Sequence, residues 1–361
     1  MLVAGARPQF IKLAMLTDSI KDRFDQVIVH TGQHFDHNMS EIFFEELGIN
    51  SPDYNLGISG GSHAQMVAHM MIKLEEVMLK ELPDAVVVVG DTNTTLAGAL
   101  TAAKLYIPLV HVEAGARTHN KTNPEELNRI CTDHLSTLRF ASTMAAMEEL
   151  NKENITYNSY FSGNTMYDAF LKYCDRVKTS ELQLRGLDGS ILTIPDKYYY
   201  MTCHREENTG DPKDLTEILK AMNSLDAYTI YPAHPRNRKK AQEIVRKKHF
   251  SKILLCEPVG YFESLALIQG CEKVVTDSGG LQTEAFFARK KCVTVLDFIC
   301  WPETLSGKRN EHAKPDAQDI ISKLSNPQII DESYKPFGDG HAAEKIIDIL
   351  FAYLTNERTN G

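Results

Sequence analysis

VVVVGDTNTT (residues 86–95), PLVHVEAGART (108–118) and NPEELNRI (123–130) decide the fold. Four consecutive valines stopped by Gly90 read as a strand buried on both faces. The Ala/Leu-rich run behind them predicts a short helix over Leu96–Leu105, and Leu109–Val112 reads as a second buried strand. Strand, helix and strand within about 27 residues form a βαβ unit, which makes the two strands parallel. Asp91 and Glu113 then fall just past the C-terminal ends of neighbouring strands, the edge at which open α/β sheets bind ligands. Asn123 is placed to cap the next helix and Pro124 to be its first residue, which sets Glu125 at its start. Three carboxylates on one sheet edge point to acid/base chemistry.

The same alternation extends on both sides. A short strand, Leu2–Ala4, runs into Gly5 and a helix to about Lys21, whose N-terminus can receive an anion. Arg7 and Lys12 lie near that helix start, where cations oppose the helix dipole and so favour an anionic ligand. The turn is not G-x-G-x-x-G, so the dinucleotide fingerprint is absent. Gln26–His30 is a strand, Asn38–Leu47 a helix and 63–81 a long helix. Arg139–Ala141 and a helix over 143–152 follow. After a polar, irregular stretch at Asp175–Pro195, read as a linker, strands are expected at Tyr198–Thr202, Tyr228–Pro232, Lys252–Cys256, Lys273–Thr276 and Cys292–Leu296. The reading is α/β, two Rossmann-like domains facing a cleft: 1–172 with the acids, 173–340 as the nucleotide side, and a helix within 341–361 returning to the first domain.

At 361 residues, 43% hydrophobic and 24% charged, the chain has room for two domains with sizeable cores. A formal net charge of −9 argues against a nucleic-acid binder. The seven cysteines (131, 174, 203, 256, 271, 292, 300) include no C-x-x-C, so neither a zinc site nor a disulfide framework is indicated. With no charged n-region, no apolar h-region and no apolar run near 18 residues, neither a signal peptide nor a membrane span is expected, and the protein is read as cytoplasmic.

TDSGGLQTE (276–284) is the strongest phosphate signal. Ser278, Gly279 and Gly280 follow a strand and open a helix with free N–H groups, and Glu284 is placed to accept from ribose hydroxyls. His204 and Arg205 at one strand end suit a diphosphate, and His234 with Arg236 at the next offers further anion contacts. Gln33, His34 and Arg117 line the edge that carries the acids.

GARPQFIK, TGQH, GDTNTTLA, HVEAGART, NPEELNR, GNTMYDA, HREEN and TDSGGLQTEA occur in that order between positions 5 and 285. This pattern resembles the non-hydrolysing UDP-N-acetylglucosamine 2-epimerase family. The resemblance implies the glycosyltransferase-B fold and a cytosolic homodimer, without metal or redox cofactor, that makes UDP-ManNAc for cell-surface polysaccharide. It implies Asp91, Glu113 and Glu125 as catalytic acids and His204 as a diphosphate-contacting member of the catalytic set. Arg7, Lys12, Ser278, Gly279, Gly280 and Glu284 are implied around the UDP-sugar. Gln33, His34, Arg205 and His234 fall where a second UDP-sugar binds as activator. LDFICWPET (296–304) departs from the family pattern: Leu296 and Trp301 stand where arginines are usual, while Glu303 keeps its place. GARPQFIK, MSEIFFEELGI and HPRNR are closer to the branch acting on UDP-2,3-diacetamido-2,3-dideoxyglucuronic acid. A UDP-sugar glycosyltransferase would use the Gly-Gly loop and Glu284 equally well.

The hydrogen on C2 of an N-acetylamino sugar is not acidic, and the nicotinamide fingerprint that would serve C3 oxidation is missing. The route left is loss of UDP from C1 as a carboxylate takes the C2 proton, followed by re-addition with a proton delivered to the other face. Crowded carboxylates are expected to keep one of their number protonated.

Overall fold

The computed structural model describes residues 1–361 apart from 21–22, 33–43, 297, 299–300 and 361, and the side chains of 357–360 are likewise left aside. The chain divides into two compact units, Met1–Ala169 with Lys335–Gly361, and Phe170–Tyr334.

In the first unit the chain alternates β1 (Leu2–Ala4), α1 (Arg7–Ile20), β2 (Ile28–His30), β3 (Tyr54–Asn55), α2 (His63–Glu81), β4 (Val86–Val89), α3 (Asn93–Lys104), β5 (Leu109–Ala114), α4 (Pro124–Leu135), β6 (Leu138–Ala141), α5 (Met144–Lys152) and β7 (Ser159–Phe161). The strands form one parallel sheet in the order β3-β2-β1-β4-β5-β6-β7. Order reverses between β1 and β4, which opens a crevice at their C-terminal ends. All four valines of β4 are buried, as a central parallel strand requires. The core on one face joins Val3, Val86 and Val88 to Met70, Leu74 and Met78 of α2 and to Ala97, Ala99 and Ala102 of α3. Gly98 permits that packing, because a Cβ there would stand 2.9 Å from Val88 Cγ1. Ser62 caps α2 in a capping box with Gln65, and Thr92 caps α3.

A helix at Thr165–Tyr173 leads on, and the second unit follows. Asp175–Pro195, expected as a linker, contains an antiparallel hairpin of β8 (Leu184–Arg185) and β9 (Ile191–Leu192). Its backbone is tied to the rest of the unit by Glu257 N–H, which donates to the Arg185 carbonyl at 2.8 Å. The sheet uses β10 (Tyr198–Thr202), β11 (Tyr228–Pro232), β12 (Ile253–Cys256), β13 (Lys273–Thr276), β14 (Lys291–Val295) and β15 (Asn310–Ala313), all parallel, in the order β12-β11-β10-β13-β14-β15. The helix Gly279–Phe287 follows β13, and Met201, Leu215, Leu219, Tyr231, Val275, Val293 and Ile320 share the main core. The last helix, Ala342–Asn360, belongs to the first unit. It packs on α1, its Phe351 ring edge-on to Phe24 at 5.7 Å, and Ala343 N–H donates to Asp168 at 2.8 Å. Among the described residues no helix is long and apolar enough to cross a membrane.

Candidate active site

In the first unit the β1–α1 turn is tied to β4 by Gln9, a buried residue that sequence reasoning passed over. Its Oε1 accepts from Gly5 and Ala6 N–H at 2.9 and 3.0 Å, and its Nε2 donates to the Val89 carbonyl at 2.8 Å. That fixes α1 over the sheet edge and aims Lys12 inward. Lys12 Nζ lies 2.5 Å from Glu113 Oε2, both side chains about nine-tenths buried. Gly90, at φ +70°, turns the chain beneath them, and a Cβ there would sit 3.7 Å from both Glu113 Oε1 and Lys12 Nζ. Arg7 is exposed in the first turn of α1.

Glu113 owes its position to a defect in the strand. Pairing of β5 with β6 shifts register between Val112 and Ala114, and Glu113 carries φ +72°. This is a β-bulge built on a left-handed non-glycine residue, the kind of conformation that collects at functional sites. Regular alternation would put Glu113 on the face of His111. At the bulge His111 is fully buried, and Glu113 stands beside Lys12.

Asp91 pairs with Arg129 Nη2 at 2.5 Å, and its carbonyl accepts from Asn128 Nδ2 at 2.8 Å. Both partners stand on α4, one turn after Glu125. Asn123 caps this helix through Glu125 N–H at 3.1 Å, with Pro124 first in the helix as expected. Glu125 is exposed, whereas Glu126 is buried and accepts from Thr118 N–H, Thr118 Oγ1 and His119 N–H at 2.8 to 3.0 Å. Burial raises the Glu126 pKa, but those donors and Arg129 outweigh it and hold the carboxyl below its ordinary range. Carboxylates crowding one another were expected; Glu113 is instead paired with Lys12, and Asp91 with Arg129, which Glu126 shares. Arg117 also departs from its expected place on the edge. Its side chain is buried and bound to Asp133 and Glu153, inside the unit. Gln33 and His34 lie outside the described residues.

In the second unit the ends of β10, β11 and β13 meet around Asp277. This carboxylate is 1% exposed and accepts the backbone N–H groups of His204 and Arg205, each at 2.8 Å. His204 Nδ1 lies 3.2 Å from its other oxygen, and the His204 side chain is about two-fifths exposed. Arg205 Nε donates to the Asp277 carbonyl at 2.9 Å, and its guanidinium stands 5.1 Å from the Phe298 ring centre. His234 lies 6.0 Å from His204, ring centre to ring centre. Burial, then His204 and Arg236, lower its pKa.

Ser278 caps the following helix in an extended conformation, accepting from Leu281 N–H at 3.4 Å. Gly279 and Gly280 are its first helical residues and present bare backbone, with only Ser278 Oγ near the place of a Gly280 Cβ. Glu284, on the same helix, is buried, and burial pushes its carboxyl up to about 8. Leu296 is buried beside this region, the Trp301 carbonyl accepts from Gln282 Nε2 at 3.2 Å, and Glu303 is buried with Oε2 unbonded among the described contacts.

A family model described as UDP-N-acetylglucosamine 2-epimerase matches residues 18–351. A UDP-2,3-diacetamido-2,3-dideoxy-D-glucuronate 2-epimerase of Pseudomonas aeruginosa is 42% identical over 359 residues, 96% of this chain and 98% of that one. A UDP-N-acetylglucosamine 2-epimerase of Methanocaldococcus jannaschii is 39% identical over 97% of this chain and 98% of its own. A crystal structure of the Methanocaldococcus jannaschii UDP-GlcNAc 2-epimerase, in complex with UDP-GlcNAc and UDP, superposes with a TM-score of 0.85. It covers 97% of this chain and 99% of that one at 36% identity. The chain belongs to the UDP-N-acetylglucosamine 2-epimerase family.

Proposed function

We propose that the protein inverts C2 of a UDP-N-acetylamino sugar, converting UDP-GlcNAc to UDP-ManNAc by elimination and re-addition of UDP. In the forward half, the C2 proton passes to a carboxylate and its electron pair becomes the C1=C2 double bond. The C1–O bond breaks with its pair going to UDP, leaving 2-acetamidoglucal. Re-addition reverses these steps with the proton delivered to the opposite face. Asp91, Glu113 and Glu125 handle the protons. Lys12 and Arg129 hold two of these carboxylates in place, and Arg7 contacts the nucleotide sugar. His204 and the bare helix end at Ser278, Gly279 and Gly280 hold the diphosphate, where charge grows as the bond breaks. Glu284 takes the ribose.

The observation that carries this reading is the Glu113 bulge, a left-handed glutamate turned onto Lys12 at the ligand-binding edge of the sheet. A merely structural acid does not need such backbone. Arg205 and His234, with Gln33 and His34, are proposed for a second UDP-sugar acting as activator. The enzyme is proposed to act as a cytoplasmic homodimer supplying polysaccharide synthesis. The second reading keeps the chemistry and changes the sugar to UDP-2,3-diacetamido-2,3-dideoxyglucuronic acid, favoured by the 42% identity to the Pseudomonas enzyme.

The test is incubation with each UDP-sugar, without acceptor, in deuterated water, read by NMR and mass spectrometry. A new UDP-sugar carrying one deuterium at C2 is expected. Inversion without deuterium sinks the elimination route, and release of UDP with free sugar points to a hydrolysing enzyme. No change in either sugar removes the epimerase reading.

A further inference from the structure

Beneath Asp91 and Glu113 lies a set of buried charges that the chemistry above does not use. Asp133, on α4, is fully buried. Its Oδ1 is 2.6 Å from His111 Nδ1, while its Oδ2 is 2.7 Å from Arg117 Nη1 and accepts Gly115 N–H at 3.1 Å. His111 is also fully buried and its Nε2 lies 2.8 Å from the Gly90 carbonyl. Arg117 continues outward, donating through Nε and Nη2 to the Glu153 carboxylate at 2.7 and 2.9 Å.

Burying these charges costs several kcal/mol per ion before pairing, and apolar side chains would fill the space at lower cost. What the set joins gives it a purpose. Gly90 precedes Asp91. His111 and Gly115 stand two residues to either side of Glu113, so both flanks of the bulge are fixed to one carboxylate. That carboxylate sits on α4, whose Asn128 and Arg129 hold Asp91. The strand ends that bear Asp91 and Glu113 are therefore set against each other through Asp133 and His111.

We propose that Asp133 and His111 are positioning residues for epimerisation, setting the placement of Glu113 relative to Asp91; this rests on the epimerase reading above. Proton removal and delivery depend on placement, and an error near 1 Å costs about 100-fold. Re-addition is the more sensitive half, because the glycal must be held until its proton arrives.

Asp133→Asn and His111→Gln keep side-chain size and break the joint. At 25 °C each is expected to lower kcat about 10- to 100-fold. The Kd for UDP by calorimetry should stay within about twofold, since the diphosphate groups belong to the second unit. The share of 2-acetamidoglucal released per epimerisation event should rise several-fold, which lost stability alone would not cause. Glu153→Gln, at the half-exposed end of the set, serves if the buried variants do not fold. A fall in its kcat with wild-type melting temperature supports the proposal. Wild-type kcat and glycal release in any folded Asp133 or His111 variant overturn it, as does unchanged kcat in Glu153→Gln where only that variant folds. If the wild type itself epimerises neither sugar, the reading beneath fails instead.

Discussion

Glu113 carries a backbone cost and a chemical role that substitution can separate. At φ +72° an L-residue with a Cβ pays about 1–2 kcal/mol relative to glycine. Glutamine keeps that strain and nearly the full side chain but loses the charge. Glycine loses the side chain and the strain, and gives back about 0.5–1 kcal/mol in unfolded-state entropy. Both remove the negative charge that faces Lys12, so the loss of that ion pair cancels when the two variants are compared. Glu113→Gly is therefore expected to be more stable than Glu113→Gln by roughly 0.5–1 kcal/mol. The first unit has about 200 residues, for which that difference moves the melting temperature by about 1–4 °C. Scanning calorimetry reads the shift, and NMR turnover assays read kcat, which should fall at least ~100-fold in both variants. A Glu113→Gln protein that melts at or above Glu113→Gly refutes the strain argument. Near-normal turnover in either refutes the assignment of Glu113 to proton transfer.

Asp91→Asn and Glu125→Gln should each lower kcat at least ~100-fold; if both, and Glu113→Gln, turn over normally, the site lies elsewhere. Glu284 has a folded pKa raised by burial to about 8, above its ordinary value near 4.5, so the native state favours its protonated form. Its contribution is present in full below about pH 4.5 and is lost as pH rises through 8. Glu284→Gln should accordingly melt above wild type at pH 9 and converge with it near pH 5, as thermal scans across pH would show. Gly98→Ala drives a methyl to 2.9 Å from Val88 Cγ1 and should cost about 1–3 kcal/mol by denaturant titration. Asp277→Asn places an amide against two backbone N–H groups and should weaken UDP binding about 10-fold, measured by calorimetry.

The βαβ unit was legible because a central parallel strand has to be apolar on both faces, and four valines leave little other reading. Asn123 and Pro124 were legible because capping is local chemistry. Strand β15 was not: Asn310, Glu311, His312 and Ala313 form an edge strand without an apolar run. Arg117 was expected on the edge that carries the acids; its partners, Asp133 16 residues away and Glu153 36 residues away, hold its side chain inside the unit instead. Asp133 and His111 left no sequence signal, since neither the spacing nor the residue types mark a buried pair. The bulge was equally hidden. A glutamate in a strand carries no mark of a positive φ, as glycine or asparagine would.

These hidden features converge on one strand, and that has an energetic consequence. β5 carries the left-handed glutamate, the register shift and the buried His111, while its neighbour β4 is regular and wholly apolar. Burying a valine contributes about 1.5–3 kcal/mol relative to leaving it exposed, so each residue of Val86–Val89 offsets a local cost of the size expected at Glu113. The apolar strand and the strained one are hydrogen-bonded from Val86–Leu109 to Val89–Val112, so the strain is confined to the last residues of β5. Relaxing substitutions there should remove the local backbone cost and lose turnover together, while changes in β4 should lose stability with the site geometry intact.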